Sequence, residues 1–163
     1  MSRTFSRVVA TVAALLVGSA GLAGCGGGSP AGSPEPIGLM KSGKELLLFI
    51  GSQCQDAEYP SRVRVVNYDL GTKQETQPVL WEVATTTPNL TPSVSIGKVP
   101  YQFTELTNHI PDERISSTIR VQVDMGKPVT ATFDTTHLVP GQVLTSTNEF
   151  VTLDTFRANW SCP

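Results

Sequence analysis

The chain beyond residue 36 is predicted to fold as an all-β antiparallel β-sandwich of immunoglobulin-like type. Three observations predict it. Eight or so short apolar runs recur with Pro or Gly turns between them. Most of these runs alternate apolar and polar residues, which is the period of a strand with one buried face. No window longer than ten residues carries the 3.6-residue periodicity of an amphipathic helix.

The clearest element is a β-hairpin. Residues 119–124 alternate apolar and polar side chains, Met125 and Gly126 supply a turn, and residues 129–134 alternate again. Two strands that both alternate apolar and polar residues, joined by a short turn with Gly, predict an antiparallel pair.

Weaker signals indicate the remaining strands. Residues 46–50 are five apolar residues in succession, as expected for a central strand buried on both faces. In 62–68 the alternation changes phase after Val65, which indicates a β-bulge. Pro78 indicates that the next strand is an edge strand or begins there. Further strands are predicted at 79–83, 94–96, 99–103, 143–145, 150–153 and 156–160.

Two turns are predicted from Gly. Residues 38–45 match a phosphate-binding loop up to Glu45, where that motif needs Ser or Thr to hold magnesium. We interpret the match as coincidence and predict a turn at Ser42 and Gly43. Pro140 and Gly141 fit a type II turn.

The N-terminal segment is built like an export signal. Arg3 and Arg7 precede an uncharged apolar run at 8–17, and small residues follow at 18–21. A spanning helix needs about 20 apolar residues. The segment therefore indicates a cleaved signal peptide rather than a membrane span.

The signal ends in Leu22-Ala23-Gly24-Cys25, which resembles the lipobox of bacterial prolipoproteins, over residues 1–25 only. The resemblance implies that a signal peptidase recognises Leu22, Ala23 and Gly24, that the Cys25 thiol is diacylated, and that Cys25 becomes the N-terminus. It implies a protein bound to the extracytoplasmic face of the cell membrane through diacylglyceryl Cys25. An ordinary secretory signal that contains a cysteine by chance is the alternative.

The sequence divides into three parts. Residues 1–24 are the signal peptide, and 25–36 are the lipidated cysteine and a Gly, Ser and Pro tether that is predicted to be disordered. Residues 37–163 are the β-sandwich domain. Stretches 80–83 and 96–103 also look like those of small actinobacterial envelope lipoproteins, a weak resemblance that implies no activity.

The charge of the mature chain is mildly acidic. Loss of residues 1–25 removes Arg3 and Arg7 and no acid, which leaves 10 basic and 14 acidic residues and a net charge of −4. The Lys and Arg residues are scattered along the sequence. We therefore expect neither nucleic-acid binding nor an electrostatic membrane-binding patch, since both need clustered bases.

Two cysteines remain when Cys25 is acylated. They are Cys54 and Cys162, and an exported domain meets oxidising conditions, so we predict that they form one disulfide. Two free thiols are the alternative. Trp81 and these cysteines do not have the spacing of an immunoglobulin domain, so the immunoglobulin likeness is one of architecture.

The sequence offers little catalytic chemistry. His109 and His137 each have a carboxylate three residues away, but no HExxH motif occurs, so no metal and no cofactor are predicted. No Gly-x-Ser-x-Gly motif occurs beyond the signal. The adjacent acids Asp112 and Glu113 fit a charged turn better than a pair of glycosidase carboxylates.

The favoured function is therefore a non-enzymatic module that binds or scaffolds an unknown envelope protein or glycan. A cell-wall glycan or ester hydrolase and a carrier of a small apolar ligand are the alternatives. Polar loops at 85–92 and 106–114 are the candidate partner sites, with Trp81 and Tyr101 next in order. The loop residues singled out are Thr85, Thr86, Thr87, His109, Asp112, Glu113 and Arg114.

Overall fold

Two antiparallel sheets face each other across a hydrophobic core in the computed structural model, which describes residues 35–51, 59–68, 77–88, 91–110 and 114–160. Sheet A has the strand order β10-β9-β1-β2-β5, and sheet B has the order β6-β4-β3-β7-β8. Their bounds are β1 Ile37–Ser42, β2 Glu45–Ile50, β3 Arg62–Asn67, β4 Val79–Ala84, β5 Ser93–Ser95, β6 Thr104–Asn108, β7 Thr118–Met125, β8 Lys127–Asp134, β9 Val143–Thr145 and β10 Phe150–Val151. The arrangement agrees with the predicted β-sandwich.

The core lies between the sheets and takes side chains from both. Alternation along each strand sends every second residue inward, where large apolar side chains exclude water. Those with no exposed surface include Ile37, Leu39, Leu48, Val63, Leu80, Trp81, Val83, Ile119, Val121, Val123 and Phe133.

The hairpin and the bulge are confirmed. Strands β7 and β8 pair from Thr118 opposite Asp134 to Met125 opposite Lys127, and Gly126 makes the turn with a φ of 73°. The register between β3 and β4 shifts between Val65 and Val66, where the sequence changes phase.

The C-terminal segment corrects the all-β prediction, because 156–160 is not a strand. Helix α1 spans Leu153–Trp160. Thr152 caps it, since its Oγ1 accepts a hydrogen bond from the Thr155 amide at 3.1 Å. The ring of Phe156 packs edge-on against Phe49, with 6.3 Å between the centroids. The helix therefore covers the outer face of sheet A and builds a second, smaller apolar cluster there.

One strand prediction is also wrong in position, and one of two alternatives is decided. Residues 99–103 form turns, with Gln102 in the left-handed region at a φ of 65°, and the strand that follows is β6 at Thr104–Asn108. Strand β4 lies between β6 and β3, so it is interior. Pro78 therefore marks the start of a strand and not a sheet edge.

Strand β1 was not predicted, although the turn that ends it was. It pairs along its whole length with β2, from Ile37 opposite Ile50 to Ser42 opposite Glu45. Gly43 turns the chain with a φ of 60°. Strand β2 is central in sheet A, as its apolar run indicates.

Gly38 leaves room for the helix to lie on sheet A, so Gly38→Ala is expected to destabilise the domain by about 1–3 kcal/mol. A Cβ on Gly38 would lie 2.4 Å from Val143 Cγ1 and 2.8 Å from Phe156 Cε2. Urea unfolding measures the effect, and Lys41→Ala, an exposed change in the same strand, is the control. Equal midpoints for Gly38→Ala and wild type would contradict this packing.

Candidate functional site: the arginine face of sheet B

The two outer faces of the sandwich differ in chemistry. The outer face of sheet A is apolar and lies beneath α1. The outer face of sheet B carries polar and charged side chains, and α1 lies on the other side of the molecule from it. We call this surface the arginine face, because Arg62, Arg64 and Arg120 all lie on it, next to core positions of β3 and β7.

A row of polar residues crosses all five strands of this face. The Cα register places them side by side in the order Thr107, Glu82, Arg64, Gln122 and Thr130. Since directly opposed residues of antiparallel strands have Cβ atoms about 5 Å apart, neighbours in this row are within contact range. Arg64 occupies the central strand, at the middle of the face.

Glu82 is buried on the arginine face and is neutralised there. Its carboxylate accepts a hydrogen bond from Arg62 Nε at 2.5 Å and a second from Arg62 Nη2. Only 8% of its side chain is exposed, and a buried carboxylate needs such a partner. The guanidinium of Arg62 is therefore paired with the carboxylate of Glu82.

Arg64 contacts Glu82 at a longer distance than Arg62 does. Its Nε lies 3.6 Å from Glu82 Oε2, beyond hydrogen-bond length, and this nitrogen is buried without a hydrogen-bond partner in the described part of the chain. The side chain is 41% exposed. Arg64 thus forms a long ion pair with Glu82 without a hydrogen bond, and since its Nε is buried, a ligand can reach only the outer, exposed part of the guanidinium.

Arg120 is held by an aromatic ring. Its Cζ lies 3.9 Å from the centroid of Tyr68, a cation–π contact. Arg120 therefore adds positive charge to the face in a fixed position.

A cavity of about 180 Å³ opens at the end of the arginine face near the β7–β8 turn. Four of the six residues that line it are polar or charged, and the side chain of Asp124 supplies the exposed acid there. The residues that line it are Arg62, Arg64, Gln122, Val123, Asp124 and Pro128.

The two predicted partner loops lie at opposite ends of β4 and do not form one site. The Thr85 amide donates to Ser61 O at 2.8 Å, at the end of sheet B that includes Asp124. The His109 amide donates to Leu80 O at 2.8 Å, at the other end. Thr86 and Thr87 are exposed.

The prediction that 106–114 is a loop is wrong in its first part. Residues 106–108 belong to β6. Arg114 is exposed, and its carbonyl oxygen accepts a hydrogen bond from Asn67 Nδ2 at 3.2 Å. Asp112 and Glu113 lie outside the described residues, as do Leu22, Ala23, Gly24, Cys25, Cys54 and Cys162.

The two aromatic residues named as further candidates have different positions. Trp81 is completely buried in the core and cannot contact a partner. Tyr101 is 84% exposed in the turn before β6, so it can.

A second polar cluster surrounds His137. Asp134 Oδ2 lies 2.9 Å from His137 Nδ1, and Asp134 Oδ1 accepts hydrogen bonds from the Thr136 hydroxyl at 2.5 Å and the Thr136 amide at 2.8 Å. These contacts, the Thr136 hydroxyl first and His137 second, lower the pKa of Asp134 to about 2. The cluster borders a cavity of about 350 Å³ that Leu144, Asn148 and Phe150 also line.

Thr136→Val is expected to raise the pKa of Asp134 from about 2 toward its ordinary 3.8, because it removes the hydroxyl donor. The carboxylate's contribution to stability is then lost at a higher pH. In wild type that contribution is complete above about pH 4 and disappears as the pH falls toward 2. Carboxyl-carbon NMR titration measures the pKa. Thr130→Val, an exposed change on β8, the strand that ends at Asp134, is the control. An unchanged pKa for Asp134 in Thr136→Val would refute the assignment.

Comparison of the chain with models of known protein families, with curated proteins and with solved structures found no match. Among the described residues no helix has the length and apolar character needed to cross a bilayer. Within the same residues no three or more His, Cys, Asp and Glu side chains are grouped as metal ligands.

The arginine face was missed because bases that are scattered in sequence meet in the sheet. The pattern Arg62-Val-Arg64-Val already places two of them on one side of a strand. Arg120 joins them only through the pairing of β3 with β7, which no local pattern reveals.

Proposed function

We propose that the protein is a lipid-anchored module of the bacterial cell envelope that binds another envelope component, without catalysis, through the arginine face. The lipobox resemblance at Cys25 supports the anchor and the extracytoplasmic location. The tether would leave the domain close to the membrane, within a few nanometres by random-coil scaling.

The observation that carries the binding proposal is the state of Arg64. The carboxylate beside it, Glu82, hydrogen-bonds to Arg62 and is only an ion-pair partner of Arg64, at 3.6 Å. An open donor set of this kind is suited to a partner that supplies acceptors. The opposite face of the sandwich lies beneath α1, so sheet B offers the open surface.

Two finer structural features belong to the same proposal. They are the immunoglobulin-like relationship of the strands and the disulfide between Cys54 and Cys162. Both fit an exported binding domain, since such domains use a rigid sandwich to display one face or one set of loops.

Retention of envelope material by the immobilised lipoprotein tests the proposal. Arg64→Ala combined with Arg120→Ala is expected to lose the bound component, because both changes remove charge from the arginine face. Arg157→Ala is the matched control, an exposed arginine on α1 at the other side of the molecule. Circular dichroism confirms that each variant is folded.

The same experiment can contradict the proposal. Material that binds equally to wild type, to the double variant and to Arg157→Ala would place recognition elsewhere. Alanine blocks at Thr85–Thr87 and at His109 with Arg114 would then separate the two loops, which lie at opposite ends of β4.

A hydrolase is the second candidate, and the cavity beside His137 and Asp134 favours it. Both neighbouring oxygens contact the same ring nitrogen, Nδ1, of His137. An acid–base role would therefore use Nε2 toward a substrate. Hydrolysis of cell-wall glycan or ester substrates by wild type, abolished in His137→Ala, would support this candidate against the binding module.

A further inference from the structure

We infer that the cavity at Arg64 is a subsite for an acidic sugar, meaning a sugar residue that carries a carboxylate or a phosphate. The inference rests on the proposed function, because it names the chemistry that the arginine face would bind. Its evidence is the arrangement of charges and open donors around the cavity of about 180 Å³.

Arg62 hydrogen-bonds to Glu82, and Arg64 lies at ion-pair distance from the same carboxylate, so the three side chains together carry one net positive charge. Arg64 is the arginine of the two that makes no hydrogen bond to Glu82, and its side chain is 41% exposed although its Nε is buried. Its planar fork of N–H groups matches the two oxygens of a carboxylate or a phosphate.

An acceptor side chain lies in the same cavity as Arg64. Asp124 also lines the cavity and is exposed, and its backbone oxygen, not its carboxylate, receives the hydrogen bonds from Ser61. A bare anion would be repelled by this carboxylate. A ligand that combines an acidic group with hydroxyl donors places the acid against Arg64 and the hydroxyls against Asp124.

Gln122 completes the set. It stands directly opposite Arg64 in the register of β3 and β7, and it lines the same cavity. Its amide offers both a donor and an acceptor, and a sugar hydroxyl can serve as the counterpart of either. Arg64, Gln122 and Asp124 thus present a donor, a mixed group and an acceptor around one small space.

The lining favours a glycan over a protein partner. The centre of a protein interface is apolar and rich in aromatic residues. Pro128 is the exposed apolar side chain in this cavity, while Val123 is buried in the core.

Titration of the complete lipoprotein in detergent with glucuronic acid, glucose 6-phosphate and glucose tests the inference. Calorimetry or amide NMR reports binding. At least one of the acidic sugars is expected to bind about ten-fold more tightly than glucose or better, because glucose lacks the group that pairs with Arg64. The two acidic arms distinguish a carboxylate ligand from a phosphate ligand, and raised salt should weaken both.

Variants decide which residues form the subsite. Arg64→Gln is expected to lose about ten-fold or more in affinity, and Arg64→Lys is expected to retain part of it, since Lys keeps the charge without the planar fork. Arg157→Gln, at the other side of the molecule, should bind as wild type does. Thermal melting confirms that the variants are folded. Gln122→Ala changes a second residue of the cavity and leaves the pair of Arg62 and Glu82 in place.

Three outcomes would overturn the inference. Glucose could bind as tightly as the acidic sugars, neither acidic sugar could bind, or Arg64→Gln could bind them as wild type does. If acidic sugars fail while envelope material still depends on Arg64, the sugar inference falls and the proposed function stands. Envelope material whose retention is independent of the arginine face would remove the proposed function itself.

Discussion

Reduction of the oxidised protein is expected to lower its melting temperature by on the order of 10–20 °C, because a bond between Cys54 and Cys162 closes a loop of about 100 residues. On the loop-entropy account such a bond stabilises the folded state by about 4–5 kcal/mol relative to the reduced chain. The double change Cys54→Ser with Cys162→Ser should reproduce the effect without reductant.

The described residues nearest to these cysteines are in contact with each other. A Cβ placed on Gly51 would lie 2.4 Å from Trp160 Cβ, so the end of β2 and the end of α1 touch. Cys54 is three residues beyond Gly51, and Cys162 is two residues beyond Trp160. Such segments span at most about 10 Å and about 7 Å, and a disulfide needs Cα atoms about 4.4–6.8 Å apart, so the chain can close the bond.

Thiol titration of the denatured, unreduced protein provides the direct measurement. We expect no free thiol from this pair, and the proposed acylation would block Cys25 as well. Two titratable thiols, or a melting temperature that reductant leaves unchanged, would rule out the bond. Single changes at Cys54 and at Cys162 should each destabilise as much as the double change, since either one breaks the same link.

Local patterns predicted those elements whose signal lies within a few residues. The β7–β8 hairpin alternates strictly around Gly126, and the bulge in β3 appears as a change of phase after Val65. In both cases the buried face follows directly from side-chain period.

The helix was missed because it is short, although it carries a readable signal. Leu153, Phe156 and Trp160 are spaced by three and four residues, and Thr152 precedes them as a cap. A helix of eight residues shows only one short apolar stripe, and the same residues also fit a weak strand pattern. Its role could not be predicted locally, since the surface that it covers comes from β1, β2 and β9.

The candidate site depends on contacts that no local pattern contains. Alternation along 79–83 places Glu82 on the face opposite Trp81, but its burial against Arg62 follows from the pairing of β3 with β4. The cavity at Arg64 needs β7 and β8 as well. Sequence reasoning therefore favoured loops for the partner site, whereas the site that we propose lies on a sheet face.

Cys25→Ala is expected to abolish lipid anchoring of the protein almost completely. In the lipoprotein pathway that the lipobox implies, the thiol of Cys25 is the lipid acceptor. One acyl chain binds a bilayer only marginally and two bind it stably, so loss of both removes the anchor. The variant should remain exported and be either uncleaved or shed, while labelled palmitate and globomycin-sensitive processing are seen only in wild type.

Cys25→Ala should leave the stability and the ligand affinity of the folded domain unchanged. The first described residue, Glu35, already contacts the domain through a hydrogen bond of 2.7 Å from its amide to Ser146 Oγ, and β1 begins at Ile37. Ser29→Ala, in the tether, is the matched control and should leave palmitate labelling intact. Melting temperature and acidic-sugar affinity should be equal in wild type and Cys25→Ala, so that only lipid anchoring differs. Palmitate incorporation that persists in Cys25→Ala would show that the anchor is not at this cysteine.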